Sequence, residues 1–551
     1  MRSFVPIGGT FDDVSERTTP LGAVLPKRVA PEDAMTPREM SRRWRRYQQA
    51  IQLHRGSSLG VILGILVPAD SRRREALRRV TGTTVSTYAP SANQDVARTA
   101  RPDLVSVSRR DDVTVLDAPP AGDRDGWRVV AAALANVITP YVAFLPRSLD
   151  DREAVASVLA ANAHDADVVY ADEHGEVTMA KPAAITELAL RAVDLLNGPV
   201  LWKVDTLRSV GGFDPSTGSF ASTKAAVALL ERGATFRALP LSLPGGRTRA
   251  DLTDHDARAA AAHFFSSRHQ NLSFSDAPYP REWVYRDATP SVDIVIPTRD
   301  RVDLLRACLD SLAVTSYPNV SITVIDNDSA DDATRAFFEE RGLRVVPAPG
   351  PFNYAAIMNT GVAASTAEYV LALNNDVTVT DPDWLTKLVG VAVDPIVGVV
   401  GARVVDPHGH GDHDAMVLAP FPVHAPRDIV DALSDAAAIR PVSAVTGAVQ
   451  LVRRSLWVEL GGMDESLTVT FNDVDLCLRA QERGYLTVAH PGVTVTHRAS
   501  SSRGSLDPRG DREVFLARWD VLRTFVDPYF PVGLAMLGPT VVERSQVPPL
   551  G

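Results

Sequence analysis

The stretch Glu368-Tyr-Val-Leu-Ala-Leu-Asn-Asn-Asp376 runs through five largely apolar residues and stops abruptly at two amides and a carboxylate. A short continuous apolar run between helical patterns predicts a strand buried on both faces of a parallel sheet. Runs of the same kind are Gly60-Val-Ile-Leu-Gly-Ile-Leu-Val-Pro68, Tyr141-Val-Ala-Phe-Leu145 and Ala166-Asp-Val-Val-Tyr170. In the second half they are Ser291-Val-Asp-Ile-Val-Ile-Pro-Thr298, Val320-Ser-Ile-Thr-Val-Ile-Asp-Asn327 and Val493-Thr-Val-Thr-His497. Helical periodicity separates the runs, most clearly over residues 353–364, so the expected class is α/β.

The second half replays the first. Pro297 follows Pro68 by 229 residues, Tyr369 follows Tyr141 by 228, and Gly461 follows Gly211 by 250. In each half a Gly-Gly-x-Asp turn, Gly211–Asp214 and Gly461–Asp464, leads into a helical pattern that ends in Glu-Arg-Gly. Two copies of one α/β domain is the simplest account, with an insertion late in the second. The expected boundaries are an extension over 1–56, a first domain over 57–277, a linker over 278–290, a second domain over 291–530 and a tail over 531–551.

Composition changes this picture little. The chain has 551 residues, 45% hydrophobic and 23% charged, with a formal net charge of -10. That balance gives no support to nucleic-acid binding. The two cysteines, Cys308 and Cys477, sit in apolar helical patterns and read as small buried hydrophobes. No secretory signal and no run of about 18 apolar residues is visible, so a cytoplasmic protein is expected. Ser41-Arg-Arg-Trp-Arg-Arg-Tyr47 could rest on anionic lipid as a peripheral contact, although a solvated helix face is the favoured reading.

In open α/β sheets ligands bind beyond the carboxyl ends of the strands. Asp376 stands at such an end, where a hard oxygen donor can meet a divalent cation and a phosphate. Alone it would read as a turn residue. Asp326 closes the strand after 320 in the same way, where it can accept hydrogen bonds from a base or a ribose. Asn353 reads equally well as a helix N-cap.

Together these segments resemble the family 2 glycosyltransferases of the GT-A fold, nearest to rhamnosyltransferase-like enzymes of bacterial cell-surface polysaccharide. The likeness is close over residues 291–504 and only outlined in the first half. It rests on Ile294-Val-Ile-Pro-Thr-Arg-Asp300 with Thr323-Val-Ile-Asp-Asn-Asp-Ser329, Pro351-Phe-Asn-Tyr-Ala-Ala-Ile-Met-Asn-Thr-Gly361, Asn374-Asn-Asp376 and Thr470-Phe-Asn-Asp-Val-Asp-Leu-Cys-Leu-Arg479. The resemblance implies tandem GT-A domains, the first degenerate, and an inverting enzyme that uses Mn²⁺ or Mg²⁺. The donor would be a nucleotide-diphospho-sugar and the acceptor a glycan or a lipid-linked glycan.

By the same resemblance, Thr298, Asp326, Asn359, Asn375 and Arg503 contact the nucleotide sugar, and Asp376 and His497 hold the metal. Asp473 is the base that takes the acceptor proton, with Asp475 as a second acid or, more simply, an acid stabilising the helix start. Two departures stand out. The leading carboxylate of the usual Asp-x-Asp cluster is Asn374. Arg518-Trp519 follows Phe515 where processive synthases carry glutamine, which argues against a polymerising channel enzyme. The His-rich loop 406–414 is expected on the acceptor side and not as a dedicated metal site. In the first half Pro146-Arg-Ser148 stands opposite Asn374-Asn-Asp376, and Ser222 stands opposite Asp473. Serine cannot serve as a carboxylate base. The rival readings are a sugar-1-phosphate nucleotidyltransferase, disfavoured because no glycine-rich loop follows the strand at 291–298, and a non-catalytic glycan-binding scaffold.

Overall fold

The computed structural model describes Arg46 and the chain between 108 and 543, except 110–112, 120–122, 147–148, 150–151, 177–178, 246–250, 252–253, 276–280, 410–412, 419–421, 427–437, 499–508, 520–526, 533 and 538–539. The expected strand at 60–68, the basic segment 41–47 apart from Arg46, the pair Arg147 and Ser148, and Arg503 lie outside these residues. Among the described residues no helix is long and apolar enough to cross a membrane.

The first sheet holds β1 (Ser108–Arg109), β2 (Val113–Ala118), β3 (Tyr141–Pro146), β4 (Val168–His174), β5 (Val200–Lys203) and β6 (Phe236–Pro244), in the order β1-β2-β3-β5-β4-β6. A hairpin of β7 (Leu272–Phe274) and β8 (Trp283–Tyr285) follows. The second sheet holds β9 (Val292–Thr298), β10 (Val320–Asp326), β11 (Val345–Pro347), β12 (Tyr369–Leu373), β13 (Val377–Thr378), β14 (Val397–Val405), β15 (His413–Val417), β16 (Val423–Pro426), β17 (Arg440–Val442), β18 (Val449–Arg453) and β19 (Leu486–His497). Its main path is β11-β10-β9-β12-β18-β14-β15-β16, and β19 joins it by pairing with β13, β14 and β17. All five residues of β12 are buried. The helices that cover the sheets bury one stripe each; the helix Val302–Leu312 buries Leu304, Leu305, Cys308, Leu309 and Leu312, spaced three or four residues apart or adjacent, as one helical face requires.

The two sheets share a four-strand arrangement. β3 pairs antiparallel with β5, β5 antiparallel with β4, and β4 parallel with β6. β12, β18, β14 and β19 are joined in the same directions. Even the register agrees: Tyr141 faces Lys203, and Tyr369 faces Arg453. The turns that follow agree too. Gly211, Gly212, Gly461 and Gly462 all have positive φ, between 73° and 89°. Asp214 Oδ1 accepts from the amide and hydroxyl of Ser216, and Asp464 Oδ1 does the same with Ser466. The helices beyond, Ala221–Glu231 and Asn472–Glu482, are each 11 residues long, so Ser222 and Asp473 are both second residues.

The repeat weakens toward the start of the first half. The strand beside β3, in the register β9 takes beside β12, is β2, with Val113 opposite Tyr141 as Val292 is opposite Tyr369. The sequence offset places a strand of the first half at 60–68 instead. Among the described residues one helix, Arg124–Leu134, lies between β2 and β3, whereas β9 and β12 are separated by three helices and two strands.

The described part of the expected linker, 281–290, is built into the fold. Trp283 in β8 is buried in a hydrophobic core that runs without a break from Leu116 in the first half to Val495 in the second. Arg281 is buried, donating to the carbonyls of Leu190 and Arg191 and pairing with Asp194. Asp394, on the second half, accepts from Arg191 of the first half and from the Tyr285 hydroxyl, the latter at 3.0 Å. The halves therefore pack as one body.

Candidate active site

β9, β10 and β12 run parallel, so their carboxyl ends open on one side. There the chain turns from β12 into Asn374, Asn375 and Asp376, all three buried. Asp376 is 5% exposed, and its Oδ1 lies 3.0 Å from His497 Nε2. β13 and β19 bring the two together, because Val377 pairs directly with His497. Asn374 Nδ2 lies 3.4 Å from the same Nε2. The Arg498 amide donates to the Asp376 carbonyl at 3.1 Å and closes the turn. Sequence reasoning expects Asp376 and His497 to meet, and here they do.

A carboxylate oxygen and an imidazole nitrogen form a donor pair that suits Mn²⁺ and is acceptable to Mg²⁺. Among the described residues no group of three or more His, Cys, Asp and Glu side chains is gathered for a metal. The pair would supply two donors to an ion, and any others would come from outside these side chains. The His-rich loop is described only in part: His413 opens β15 opposite Val404, and 410–412 lie outside the described residues.

Asn375 Nδ2 donates to Thr298 Oγ1 at 3.1 Å, which ties the end of β12 to the loop after β9. That loop is tightly wound. Asp300 and Arg301 both have φ of 54°, an uncommon region for side chains larger than glycine. Asp300 Oδ1 holds it there by accepting from the amides of Ala330 and Asp331, each at 2.8 Å. Asp326, half-buried at the end of β10, accepts from the Ser329 amide at 3.1 Å. Thr298, Asn375 and Asp326 thus gather at the carboxyl ends of β9, β10 and β12. Asp376 also strengthens the hold of Arg301 on its proton, after the larger effect of the Arg301–Asp303 hydrogen bond.

Asp473 reaches the same place through the loop before β18. Its Oδ2 accepts from the Gly447 amide at 2.8 Å, and its Oδ1 accepts from the Val474 amide at 2.8 Å. The Ala448 carbonyl, one residue on, accepts from the Asn374 amide at 3.1 Å. Two adjacent backbone residues therefore link the carboxylate of Asp473 to the start of Asn374-Asn-Asp376. A carboxylate offers about four lone-pair sites, so two such bonds orient the group and leave it able to take a proton. Gly447 is also held from behind, since its carbonyl accepts the Tyr354 hydroxyl at 2.8 Å. The sequence gives no signal for Gly447, whose contact lies 26 residues away from it in the chain.

Two expected site residues have other duties. Asp475 is fully buried, and both its oxygens are taken: Oδ2 by Arg479 Nε at 2.7 Å, Oδ1 by Arg518 at 2.7 Å and by Trp519 Nε1 at 3.0 Å. It pins the helix Asn472–Glu482 to the helix Arg509–Arg518 and is not an open acid. Asn359 is likewise spent. Its Oδ1 accepts from the Met463 amide at 2.8 Å and Trp457 Nε1 at 3.2 Å, and its Nδ2 donates to the Met463 carbonyl at 2.9 Å and to Glu465 at 3.1 Å. It locks its helix to the Gly461–Asp464 turn, so tightly that a Cβ on Gly462 would come within 2.3 Å of Asn359 Oδ1. Asn353 is the N-cap of the helix Tyr354–Ala364, accepting from the Ala356 amide.

The sequence over 293–418 matches the family described as Glycosyl transferase family 2. The chain is 33% identical over 327 residues to an uncharacterized protein, y4gI, of Sinorhizobium fredii, a match that spans 55% of this chain and 36% of the relative. It is 31% identical over 364 residues to the O-antigen biosynthesis protein RfbC of Myxococcus xanthus, covering 62% of this chain and 28% of that one. An N-acetylglucosaminyl-diphospho-decaprenol L-rhamnosyltransferase of Mycobacterium tuberculosis is 28% identical over 232 residues, which is 36% of this chain and 73% of the enzyme. The matched region thus spans little more than a third of y4gI and under a third of RfbC.

Proposed function

We propose that the chain is an inverting, metal-dependent glycosyltransferase of cell-surface polysaccharide synthesis. It moves a sugar from a nucleotide-diphospho-sugar to a glycan or lipid-linked acceptor. The observation that carries this reading is the shared anchorage of Asp473 and Asn374-Asn-Asp376 on Gly447 and Ala448, which ties the carboxylate of Asp473 to the start of that segment. The family match over 293–418 and the kinship with RfbC and the rhamnosyltransferase support it.

In this reading Asp473 accepts the proton of the acceptor hydroxyl. That oxygen bonds to the anomeric carbon of the donor as the bond from this carbon to the diphosphate breaks, and the nucleoside diphosphate leaves with the electron pair. A single carboxylate base and direct displacement invert the anomeric centre. Asp376 and His497 would hold the divalent cation, whose positive charge eases departure of the diphosphate. Thr298, Asn375 and Asp326 position the nucleotide sugar from the β9 and β10 side, with Arg503 a phosphate contact. Asn359 and Asp475 are supports of the fold.

The first half is a degenerate copy in this reading. Ser222 takes the place of the base, and the shared core makes this half a brace for the second. The test is a panel of nucleotide sugars screened for thermal stabilisation with and without Mn²⁺. A donor at 100 times its dissociation constant adds about 2.7 kcal/mol of stability. Stabilisation by one nucleotide sugar that depends on Mn²⁺ is expected; none by any member of the panel contradicts the proposal.

A further inference from the structure

The helix that carries Asp473 has an unusual entry. Phe471 stands at its N-cap position with φ of 65° and gives the helix no side-chain bond. That backbone region is uncommon for a side chain as large as phenylalanine, and a residue persists there only where its surroundings hold it. The hold comes from the helix Arg509–Arg518. Asp511, 3% exposed, accepts from the loop just before Phe471: Oδ1 from the Thr468 hydroxyl at 3.0 Å, and Oδ2 from the amides of Val469 and Thr470 at 2.7 and 2.8 Å. Hydrogen bonds to a carboxylate are roughly twice as strong as neutral ones. The Phe515 ring, four residues beyond Asp511 and so on the same helical face, stacks on the Phe471 ring with centroids 5.0 Å apart. Arg518 and Trp519, a further turn on, reach Asp475. Asp473 therefore lies between two places, the loop 468–471 and Asp475, that this one helix holds.

The same loop is tied to the amide that aims Asp473. The Thr468 carbonyl accepts the Tyr354 amide at 2.7 Å, and the Tyr354 hydroxyl donates to the Gly447 carbonyl at 2.8 Å. The Gly447 amide in turn donates to Asp473 Oδ2 at 2.8 Å. From Asp473 the chain runs back through Phe471 to Thr470, whose amide bonds to Asp511. The bonds form a closed circuit: Asp511, Thr468, Tyr354, Gly447, Asp473 and back. The carboxylate of Asp473 and its partner amide are both referred to the loop 468–471, and the circuit closes on Asp511. A shift of that loop would move the two apart, because each reaches it by a different path.

We propose that Asp511 is a positioning residue: it holds the turn at Phe471 so that the carboxylate of Asp473 stays on the Gly447 amide. The effect on transfer rests on the glycosyltransferase reading; the placement does not. Asp511→Ala removes all three bonds and adds no bulk. Asp511→Asn keeps an oxygen for the two amides and an N–H for the Thr468 hydroxyl, without the charge. Hydrogen exchange read by mass spectrometry on the full chain, and steady-state kinetics, are measured on both variants. In Asp511→Ala the peptides that contain Gly447 and 469–474 should exchange about tenfold faster, while β3 and β4 of the first half exchange as in the parent. kcat should fall roughly 10- to 100-fold with KM for the nucleotide sugar unchanged. Asp511→Asn should show both effects at about two- to fourfold only. The proposal is overturned if Gly447 stays as protected as in the parent, or if kcat of the alanine variant equals the parent's. It is also overturned if exchange rises evenly along the chain, which marks a role in stability alone. Should the alanine variant not fold, Asp511→Asn decides by itself: faster exchange confined to Gly447 and 469–474 supports the proposal, and parent-like exchange overturns it. Faster exchange at Gly447 in the variants, with no transfer by the parent from any nucleotide sugar, would leave the placement standing and refute the glycosyltransferase reading instead.

Discussion

The Gly447 amide donates to Asp473 Oδ2 at 2.8 Å while the Gly447 carbonyl accepts the Tyr354 hydroxyl, also at 2.8 Å. One peptide unit at either side of a single residue thus carries the position of a helix-borne phenol to the base. Tyr354 is buried, and a Cβ on Gly447 would stand 3.2 Å from Asp473 Cβ. Tyr354→Phe keeps the ring and removes the bond to the Gly447 carbonyl. It should lower kcat by roughly 3- to 30-fold, the scale of about 0.5–2 kcal/mol for a hydrogen bond and the positioning it gives. KM for the donor should not change. Steady-state kinetics check this, and an unaltered kcat would show that Tyr354 does not position the base.

Asp376 and His497 face each other at 3.0 Å. Asp376→Ala should abolish transfer and Mn²⁺-dependent donor binding while the protein stays folded. His497→Ala should weaken Mn²⁺ affinity by about 10- to 100-fold. Isothermal titration of Mn²⁺ with donor present reads both. Near-normal turnover of Asp376→Ala in the presence of EDTA would refute the metal assignment.

Asp475 separates structure from chemistry. Removing its charge leaves Arg479 and Arg518 facing a neutral amide in the core. Breaking a buried pair in this way costs about 3–5 kcal/mol. Asp475→Asn should therefore lose stability in denaturant titration. Full stability with abolished transfer would return Asp475 to the chemistry.

Much of the second half was legible from its sequence. β12 covers the five residues Tyr369 to Leu373 that the apolar run marks, and Asp376 and His497 come together as the motifs imply. The misreadings share one cause: a polar side chain on a helix does not reveal which way it points. Asp473 and Asp475 are two residues apart, about 200° around a helix, so one faces Gly447 and the other the core. The spacing of Asp475 and Arg479, four residues, was an available hint of a pair. Arg518 and Trp519, compared in sequence with a synthase motif, are the remaining partners of that carboxylate. Asn359 finds its partners 98 to 106 residues away, in a turn whose proximity no local pattern announces. The strand next to β3 escaped because β2 follows a stretch without clear periodicity.

Asp172, in β4, gives the first half a pH signature. Burial pushes its carboxyl up to about 7, with the neighbouring Glu173 adding to the shift and the amide and charge of Lys181 opposing it. A carboxyl raised in the folded state binds its proton more tightly there than in the unfolded chain. Its contribution is therefore present below the unfolded value near 4 and is lost as pH rises toward 7. Asp172→Asn keeps the acceptor for the Lys181 amide, a 2.6 Å bond in the parent, and cannot ionise. Relative to that variant, the parent should lose stability between about pH 4 and pH 7, by up to about 1.4 kcal/mol per unit. Denaturant midpoints of both proteins across this range check it; parallel curves would contradict it.

The central claim is that Asp473 takes the acceptor proton, and Asp473→Asn tests it most directly. Asparagine has nearly the same shape and can still accept from the Gly447 amide, but it cannot take a proton at neutral pH. Donor affinity and transfer rate should be measured on the same preparation of this variant. The expected result is unchanged affinity for nucleotide sugar with Mn²⁺ and transfer slower by roughly a hundredfold or more. Transfer at the parent rate with donor affinity intact would contradict the account.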